Sequence, residues 1–236
     1  MKVAVLNYTG TVGKTTIAAH LLSPRMNNAP IFAIETINET AAGLGADVEK
    51  ISGDKFRTLF KKLMMLDDAI IDVGASNIES FLDGMLKFED SHLEFDYFVI
   101  PVTSGAKEQK ETIKMIETLS ELNIPSDKVK VIFNRVDLDA KEEFAPMFNF
   151  AKKTNAFTAN ANASIYENEL FDLLSIKKLG ISDLINDTTD YKAKARELGK
   201  GGDAKTLSHY TDMYAMKALS KGVTKNLDEV FSVLFN

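Results

Sequence analysis

Short apolar runs recur along the first part of the chain, at intervals long enough to hold a helix. They lie at residues 3–7, 30–34, 69–73, 95–102 and 129–133, with a weaker run at 157–161. Several are rich in Val, Ile and Phe and alternate little, which is typical of parallel strands buried on both faces. The pattern therefore predicts a mainly parallel sheet.

Helical periodicity fills the intervals between these runs. Within residues 56–63 the apolar side chains follow the i, i+3, i+4, i+7 spacing of an amphipathic helix: Phe56, Leu59, Phe60 and Leu63. Further helices are predicted from residue 17 and at 77–88, 106–122 and 141–151, the last interrupted by Pro146. Alternating strands and helices predict a doubly wound α/β fold, whose ligands bind at the carboxyl ends of the strands.

The last third of the sequence has a different pattern, with no strand predicted after residue 165. Helices are expected near residues 167–175, 182–198, 204–221 and 226–235, with a flexible joint at Gly199, Gly201 and Gly202. A chain of 236 residues with 45% apolar content can form one large core. We therefore expect an α/β domain over residues 1–175 and a helical C-terminal extension, 176–236, packed on that domain.

The first predicted strand leads into Tyr8-Thr-Gly-Thr-Val-Gly-Lys-Thr-Thr16, which has the layout of a phosphate-binding loop (P-loop). In such a loop the backbone N–H groups surround an anion, and the following helix adds its positive dipole end. Lys14 is expected to reach the terminal phosphates, and Thr15 to complete a Mg²⁺ shell. An ordinary glycine turn is the alternative, since Tyr8 stands where the strict motif has glycine. The predicted nucleotide contacts here are Gly10, Thr11, Val12, Gly13, Lys14, Thr15 and Thr16.

Two further strand ends carry polar residues that suit a nucleotide site. Asp72 ends the buried run 69–73 and precedes Gly74, so its carboxylate is expected beside the loop, where it can hold Mg²⁺ through water. Asn134 ends another strand, and its amide suits the edge of a purine base. Each has a structural alternative, because aspartate caps turns and an Asn-Arg pair forms them.

Composition excludes several classes of function. The sequence contains no cysteine, so it has no disulfide framework and no thiolate nucleophile or metal ligand. Its three histidines are scattered without ligand spacing, and no run approaches the length of a membrane span. Met1-Lys2 leads directly into a predicted core strand, so we expect a cytoplasmic protein without a signal peptide or transmembrane segment.

The charge distribution is uneven. The whole chain has a net charge of −6, whereas residues 191–225 contain eight basic and three acidic residues. This basic segment could contact nucleic acid, an acidic partner or an anionic membrane. A solvated helix surface is the simpler alternative.

In this order, the motifs resemble those of the ParA/MinD family of ATPases, over roughly residues 1–165. Thr9-Gly-Thr-Val-Gly-Lys-Thr15 is similar to the family's deviant P-loop, and Asp68-Ala-Ile-Ile-Asp72-Val-Gly74 to its metal-side strand. Phe98-Val-Ile-Pro-Val102 and Ile132-Phe-Asn-Arg-Val-Asp137 are similar to two more of its strands. The resemblance implies ATP or ADP and Mg²⁺ as ligands, with Asn134 at the adenine and the loop 160–164 on its other side. Within the family, the chain looks most like plasmid stability proteins of the StbB type, which act in plasmid maintenance and conjugative transfer.

Two positions depart from the family's pattern. The signature lysine, which reaches the partner's phosphate in a nucleotide-sandwiched dimer, corresponds here to Thr9; Arg135 or Lys107 could replace its charge. The carboxylate that orients the attacking water corresponds to Ile37. Glu35 is then the best remaining candidate for that role and Asn38 a weaker one, although a structural ion pair explains Glu35 about equally well.

These features predict an ATP-binding protein of plasmid stability or partition, or of conjugative transfer, with weak or partner-stimulated ATPase activity. The candidate catalytic residues are Lys14, Glu35 and Asp72, and the candidate metal ligands are Thr15 and Asp72. We expect nucleotide to control homodimerisation or partner binding, with plasmid DNA or a DNA-bound adaptor protein contacting residues 191–225. The alternatives are a nucleotide-bound scaffold that never hydrolyses and, less favoured by loops 36–46 and 74–80, an ATP-dependent metabolic ligase.

Overall fold

The computed structural model describes residues 1–35, 48–52, 55–199 and 201–236. Its seven strands are β1 (Lys2–Val5), β2 (Ile31–Ile34), β3 (Val48–Ile51), β4 (Ala69–Val73), β5 (Tyr97–Val102), β6 (Val129–Val136) and β7 (Ser164–Tyr166). They form one parallel sheet in the order β3-β2-β4-β1-β5-β6-β7. The predicted doubly wound α/β fold is confirmed, and the central strand β1 carries the loop at its carboxyl end.

Apart from three short 3-10 helices, ten helices flank the sheet in the part of the chain that is described. The first, α1, is continuous through Lys14–Thr16, Ile17–Leu22 and Ser23–Arg25, and its middle part has π-helical hydrogen bonding. The others are α2 (Phe56–Leu63), α3 (Ile78–Lys87), α4 (Ala106–Glu121), α5 (Ala140–Glu143), α6 (Ala145–Thr154), α7 (Leu170–Lys177), α8 (Ile181–Asn186), α9 (Tyr191–Leu198) and α10 (Ala204–Phe235). None of the helices in the described ranges is long and apolar enough to cross a membrane.

The sheet separates two apolar cores. In β1 and the residue after it, Ala4 and Leu6 pack into one core and Val3 and Val5 into the other, because successive side chains of extended backbone point to opposite faces. The first core receives side chains from α2 to α6, and the second from α1, α7, α8 and α10. The long helix α10 therefore packs on the same sheet face as α1, which follows the phosphate loop.

The outer edge of β7 is covered by a side chain of α10. The amide of Asn226 donates to the Ser164 carbonyl at 2.9 Å, and its oxygen accepts from the Tyr166 backbone N–H at 3.3 Å. One side chain thus satisfies both a donor and an acceptor that an edge strand leaves unpaired.

Several predicted elements need correction. The run 157–161 is not a strand: Phe157 is buried in the core, while Asn160 forms a turn by accepting the Asn162 N–H, and β7 begins only after that turn. The predicted helix 182–198 is two helices, because Asp187 bonds the Thr189 N–H and Asp190 caps α9. In contrast, the helices predicted at 204–221 and 226–235 are one, since a buried stripe continues through Val223.

Candidate functional site

The loop between β1 and α1 has the backbone form needed to surround an anion. Gly13 has φ 87°, a left-handed conformation that glycine adopts at no steric cost, and its carbonyl accepts the Ile17 N–H at 3.0 Å. Lys14 is 4% exposed, and its ammonium donates to the carbonyls of Asn7 (3.2 Å) and Thr9 (2.7 Å). The lysine is thus held within the loop that it is predicted to serve.

Tyr8 packs away from the loop, against α4. Its hydroxyl is 3.2 Å from the Thr118 hydroxyl, and the Lys114 ammonium lies 5.0 Å from the centre of its ring. A tyrosine at the position of the first motif glycine is therefore accommodated by α4 rather than by the anion-binding space.

Asn7 is a loop-supporting residue that sequence reasoning missed. It is fully buried, and its amide donates to the Pro101 carbonyl (2.8 Å) and to the Thr112 hydroxyl (2.6 Å). Its oxygen accepts the Thr9 N–H at 3.1 Å. The side chain joins the start of the loop to β5 and α4. A polar residue at the end of an otherwise apolar strand was the available signal.

Asp72 lies at the end of β4, beside β1, as predicted. It is buried, and burial raises the pKa of its carboxyl, although the hydrogen bond from Thr15 and the charge of Lys14 act in the opposite direction. The structure therefore brings the three predicted residues Lys14, Thr15 and Asp72 together. A hydroxyl and a carboxylate paired beside a phosphate loop are hard oxygen donors of the kind Mg²⁺ takes, so this donor set fits the ion.

Asn134 reaches the loop from the opposite side. Its amide donates to the Val12 carbonyl at 2.8 Å, and a Cβ placed on Gly13 would lie 2.5 Å from the same nitrogen. The orientation follows from an irregularity in β6, where the register with β7 shifts at Arg135, which has φ 57°. Asn134 turns inward and Arg135 turns out to solvent. The amide predicted for the base thus also supports the phosphate loop.

The remaining predicted residues are spread more widely. Glu35 follows β2, with Oε2 3.8 Å from the Lys50 ammonium, and its Cγ lies near Gly74. Arg135 lies 3.9 Å from Glu167, and Lys107 is exposed in the first turn of α4. Ile37, Asn38 and the loop 36–46 lie outside the described residues. The predictions for these positions stay predictions.

Behind the loop, α1 contains an isolated buried histidine. His20 is 1% exposed, and neither ring nitrogen has a hydrogen-bond partner within the described ranges. Burial lowers the pKa of His20 to about 4, although the charge of Asp183 acts in the opposite direction. It is therefore neutral at neutral pH. His20 lies in the π-helical part of α1, and π-helical turns are frequent at functional sites.

Arg25 ties the end of α1 to α10. Its guanidinium donates to the carbonyls of His20 (3.0 Å), Leu21 (3.1 Å) and Thr224 (3.2 Å), and it pairs with Asp228 at 2.7 Å. The bonds to His20 and Leu21 satisfy carbonyls that the end of α1 leaves free. They connect the helix of the phosphate loop with the long C-terminal helix.

These elements define a P-loop α/β fold with a helical C-terminal part. It is the fold of the ParA/MinD-type ATPases, which include cell-division and plasmid partition proteins among the solved structures. No protein-family model matches the sequence, and a comparison with curated proteins finds no match.

Three solved structures illustrate the similarity. The cell division ATPase MinD of Pyrococcus furiosus has a TM-score of 0.52 at 11% identity, covering 91% of this chain and 97% of that one. A chain of the MinC:MinD cell division complex of Aquifex aeolicus has a TM-score of 0.51 at 13% identity, covering 91% and 93%. A Borrelia burgdorferi chain, described as a plasmid partition protein and bound to AMPPNP, has a TM-score of 0.50 at 15% identity, covering 91% and 97%. At these identities the similarity shows the fold.

Proposed function

We propose that this protein binds ATP with Mg²⁺ and acts in plasmid stability or partition, or in conjugative transfer, inside the cytoplasm. The observation that carries the nucleotide proposal is the convergence of Lys14, Thr15 and Asp72 at one end of the sheet. The fold shared with partition and cell-division ATPases supports the same function.

Each residue has a proposed role in nucleotide binding. The N–H groups of Gly10 to Thr16 bind the phosphates, and Lys14 leaves its two carbonyl partners to pair with the terminal phosphates. Thr15 contributes its hydroxyl to Mg²⁺, and Asp72 binds the water shell of the ion. When bound, Mg²⁺ would neutralise charge on the phosphates. Asn134 is proposed to contact the base or to hold the phosphate loop in place.

Hydrolysis is proposed to be slow without a partner. Phosphoryl transfer depends on positive charge beside the transferring phosphoryl group and on a water oriented to attack it. Thr9 cannot supply a cation, so Arg135 or Lys107 is the proposed substitute, and Glu35 is the proposed residue for the water. A second candidate, a nucleotide-bound scaffold without turnover, is favoured by Thr9 and Ile37, which stand where the family has a lysine and a carboxylate.

Nucleotide binding is proposed to control dimerisation and the binding of a partner. The basic segment 191–225 is the proposed contact, either with plasmid DNA or with an adaptor protein bound to DNA. Arg25 supports a connection between the two ends, because its bonds join α1 to α10.

Calorimetric titration with ATP and ADP, with and without Mg²⁺, tests the nucleotide proposal. We expect binding that strengthens with Mg²⁺, and a loss of at least about 10-fold in Lys14→Ala, because a charge-assisted contact is worth roughly 1.5–3 kcal/mol. Lys110→Ala, which removes an exposed charge on α4 away from the proposed contacts, is the control for nucleotide affinity. Flat traces for both nucleotides with the wild-type chain would exclude the proposal.

Turnover separates the ATPase from the scaffold. Phosphate release is measured with the wild-type chain alone, and again with plasmid DNA and the proteins encoded beside it. A rate that Lys14→Ala abolishes supports the ATPase. Bound nucleotide that stays intact in every mixture supports the scaffold.

A further inference from the structure

A groove of about 610 Å³ lies between α8, the turn that follows it and the middle of α10. Leu184, Ile185 and Ala218 form its apolar part. Two of its large side chains are exposed to solvent: Ile185 is 52% exposed and Tyr214 is 48% exposed. The volume falls within the range of binding pockets, which are mostly apolar with a few placed polar groups.

Three lysines of α10 line this groove at intervals of four residues: Lys217, Lys221 and Lys225. This spacing places them on one face of the helix. Lys217 is fixed, because it donates to the carbonyls of Asp187 and Thr189 and lies 5.6 Å from the centre of the Tyr191 ring. Lys221 is exposed and has no hydrogen bond or ion pair within the part of the chain that is described. It is the cation available to a partner.

The two carboxylates at the groove are engaged elsewhere. Asp190 caps α9 by accepting the Ala193 N–H at 2.9 Å, and Asp228 pairs with Arg25 at 2.7 Å. The Thr224 hydroxyl oxygen is buried at the groove wall without a hydrogen-bond partner among the described residues. Lys225 lies 3.8 Å from the Glu229 carboxylate. Among the described residues, the groove therefore offers apolar surface, the cation of Lys221 and one unsatisfied polar atom.

This arrangement fits a protein better than a nucleic acid. DNA binding depends on cations that reach outward to a row of phosphates. In the basic segment, however, the ammonium groups of three lysines lie within 6 Å of tyrosine rings: Lys192, Lys194 and Lys217. The exposed Ile185 would gain nothing from a phosphate backbone, whereas an apolar helix face would cover it.

We propose that the groove docks an acidic amphipathic helix of a partner protein. The apolar face of that helix packs on Ile185 and Ala218, and one of its carboxylates pairs with Lys221. The inference rests on the proposed function, in which an adaptor protein contacts the segment 191–225, and it identifies the chemistry of that partner.

Fluorescence anisotropy with synthetic peptides tests the inference. The probe is a labelled amphipathic helix with leucines on one face and glutamates on both flanks, and its matched peptide has lysines in place of the glutamates. We expect the acidic peptide to bind the wild-type chain and the basic peptide not to bind. The acidic peptide should bind about 10-fold more weakly to the variants Lys221→Glu and Ile185→Ser. The control Lys205→Glu makes the same change of charge at an exposed position in the first turn of α10, and it keeps the wild-type affinity.

Three results would overturn the inference: no binding of the acidic peptide, equal weakening by Lys205→Glu, or equal binding of the basic peptide. Binding of duplex DNA is measured in parallel. If Lys221→Glu and Ile185→Ser both abolish DNA binding, the groove binds nucleic acid, and the inference is overturned by that result too. ATP titration of the same preparations separates the two proposals. If the chain binds the acidic peptide but not ATP, the nucleotide function is excluded and the docking groove stands. If it binds ATP but not the peptide, the docking groove is excluded and the nucleotide function stands.

Discussion

The side-chain amide of Asn134 donates a hydrogen bond to the backbone carbonyl of Val12 at 2.8 Å, across 122 positions of sequence. The bond joins the end of β6 to the phosphate loop, and both atoms are buried. Because Val12 directly precedes Gly13, this contact holds the part of the loop that turns through a left-handed residue. The residue predicted to contact the base therefore supports the phosphate loop.

Asn134→Ala should weaken the binding of ATP and of inorganic tripolyphosphate by a similar factor. Removing a buried hydrogen bond costs about 1–2 kcal/mol, or roughly 5- to 30-fold in affinity, and the loop serves both ligands. Calorimetry with each ligand measures the factor. A further contact of Asn134 with adenine would appear as a greater loss for ATP.

The control is Asn149→Ala, which changes an exposed asparagine on α6. Unchanged tripolyphosphate affinity in Asn134→Ala would contradict a supporting role for this residue. Loss of affinity in both variants would point instead to a general disturbance of this end of the sheet.

Gly13→Ala and Gly10→Ala should have opposite outcomes. A Cβ on Gly13 would lie 2.5 Å from the Asn134 nitrogen, and the residue has φ 87°, whereas a Cβ on Gly10 meets nothing within 4 Å. We expect Gly13→Ala to abolish detectable ATP binding while Gly10→Ala changes it less than about 3-fold, since non-glycine residues pay roughly 1–2 kcal/mol for left-handed backbone. Titration of both folded variants checks this, and similar affinities for the two would refute it.

His20 should make stability depend on pH below neutrality. Its pKa in the folded chain is about 4, below the ordinary value of 6.5, so the unfolded chain binds the additional proton between these values. Stability contributed by neutral His20 is complete above about pH 6.5 and is lost as pH falls toward 4. The shift corresponds to about 3 kcal/mol.

Urea unfolding at pH 5 and pH 7.5 measures this effect. The loss of stability between the two should be smaller in His20→Leu than in the wild-type chain, and unchanged in His209→Gln, which alters an exposed histidine. An equal loss in His20→Leu and wild type would assign the pH dependence to other groups.

Arg25→Ala should destabilise the chain by about 2–3 kcal/mol. The guanidinium is largely buried, and its loss leaves three carbonyls and the Asp228 carboxylate without their donor. Lys225→Ala, which removes an exposed pair with Glu229, should cost less than about 0.5 kcal/mol. Thermal unfolding of the two variants checks the difference. Equal melting temperatures would show that the bridge between α1 and α10 contributes little.

The sequence predicts the sheet well where burial determines the pattern. Runs such as 69–73 are apolar because both faces of a central strand are covered, and β4 occupies the same residues. The strand β3 was missed, since Val48-Glu-Lys-Ile51 lies at the edge of the sheet with two exposed residues and is too short to show a period. The strand predicted at 157–161 was wrong, because Phe157 belongs to a loop and is apolar only because its side chain is buried in the core.

At the site, the motifs identify which residues converge but not how they bond. The order of loop, Asp72 and Asn134 along the chain predicts that they meet at the carboxyl ends of neighbouring strands. The bond from Asn134 to Val12 depends on the irregularity at Arg135, which no pattern of polar and apolar residues announces. Asn7 and Arg25 were missed because most of their partners are backbone groups, which every residue carries.

Asn226 has a consequence for assembly. Its side chain bonds the Tyr166 N–H and the Ser164 carbonyl at the outer edge of β7. A strand of another chain could pair with this edge only after α10 moves away from it. Copies of this protein that meet in solution are thus kept from joining strand to strand on this side. The two hydrogen bonds of one asparagine therefore oppose growth into fibres through this edge of the sheet.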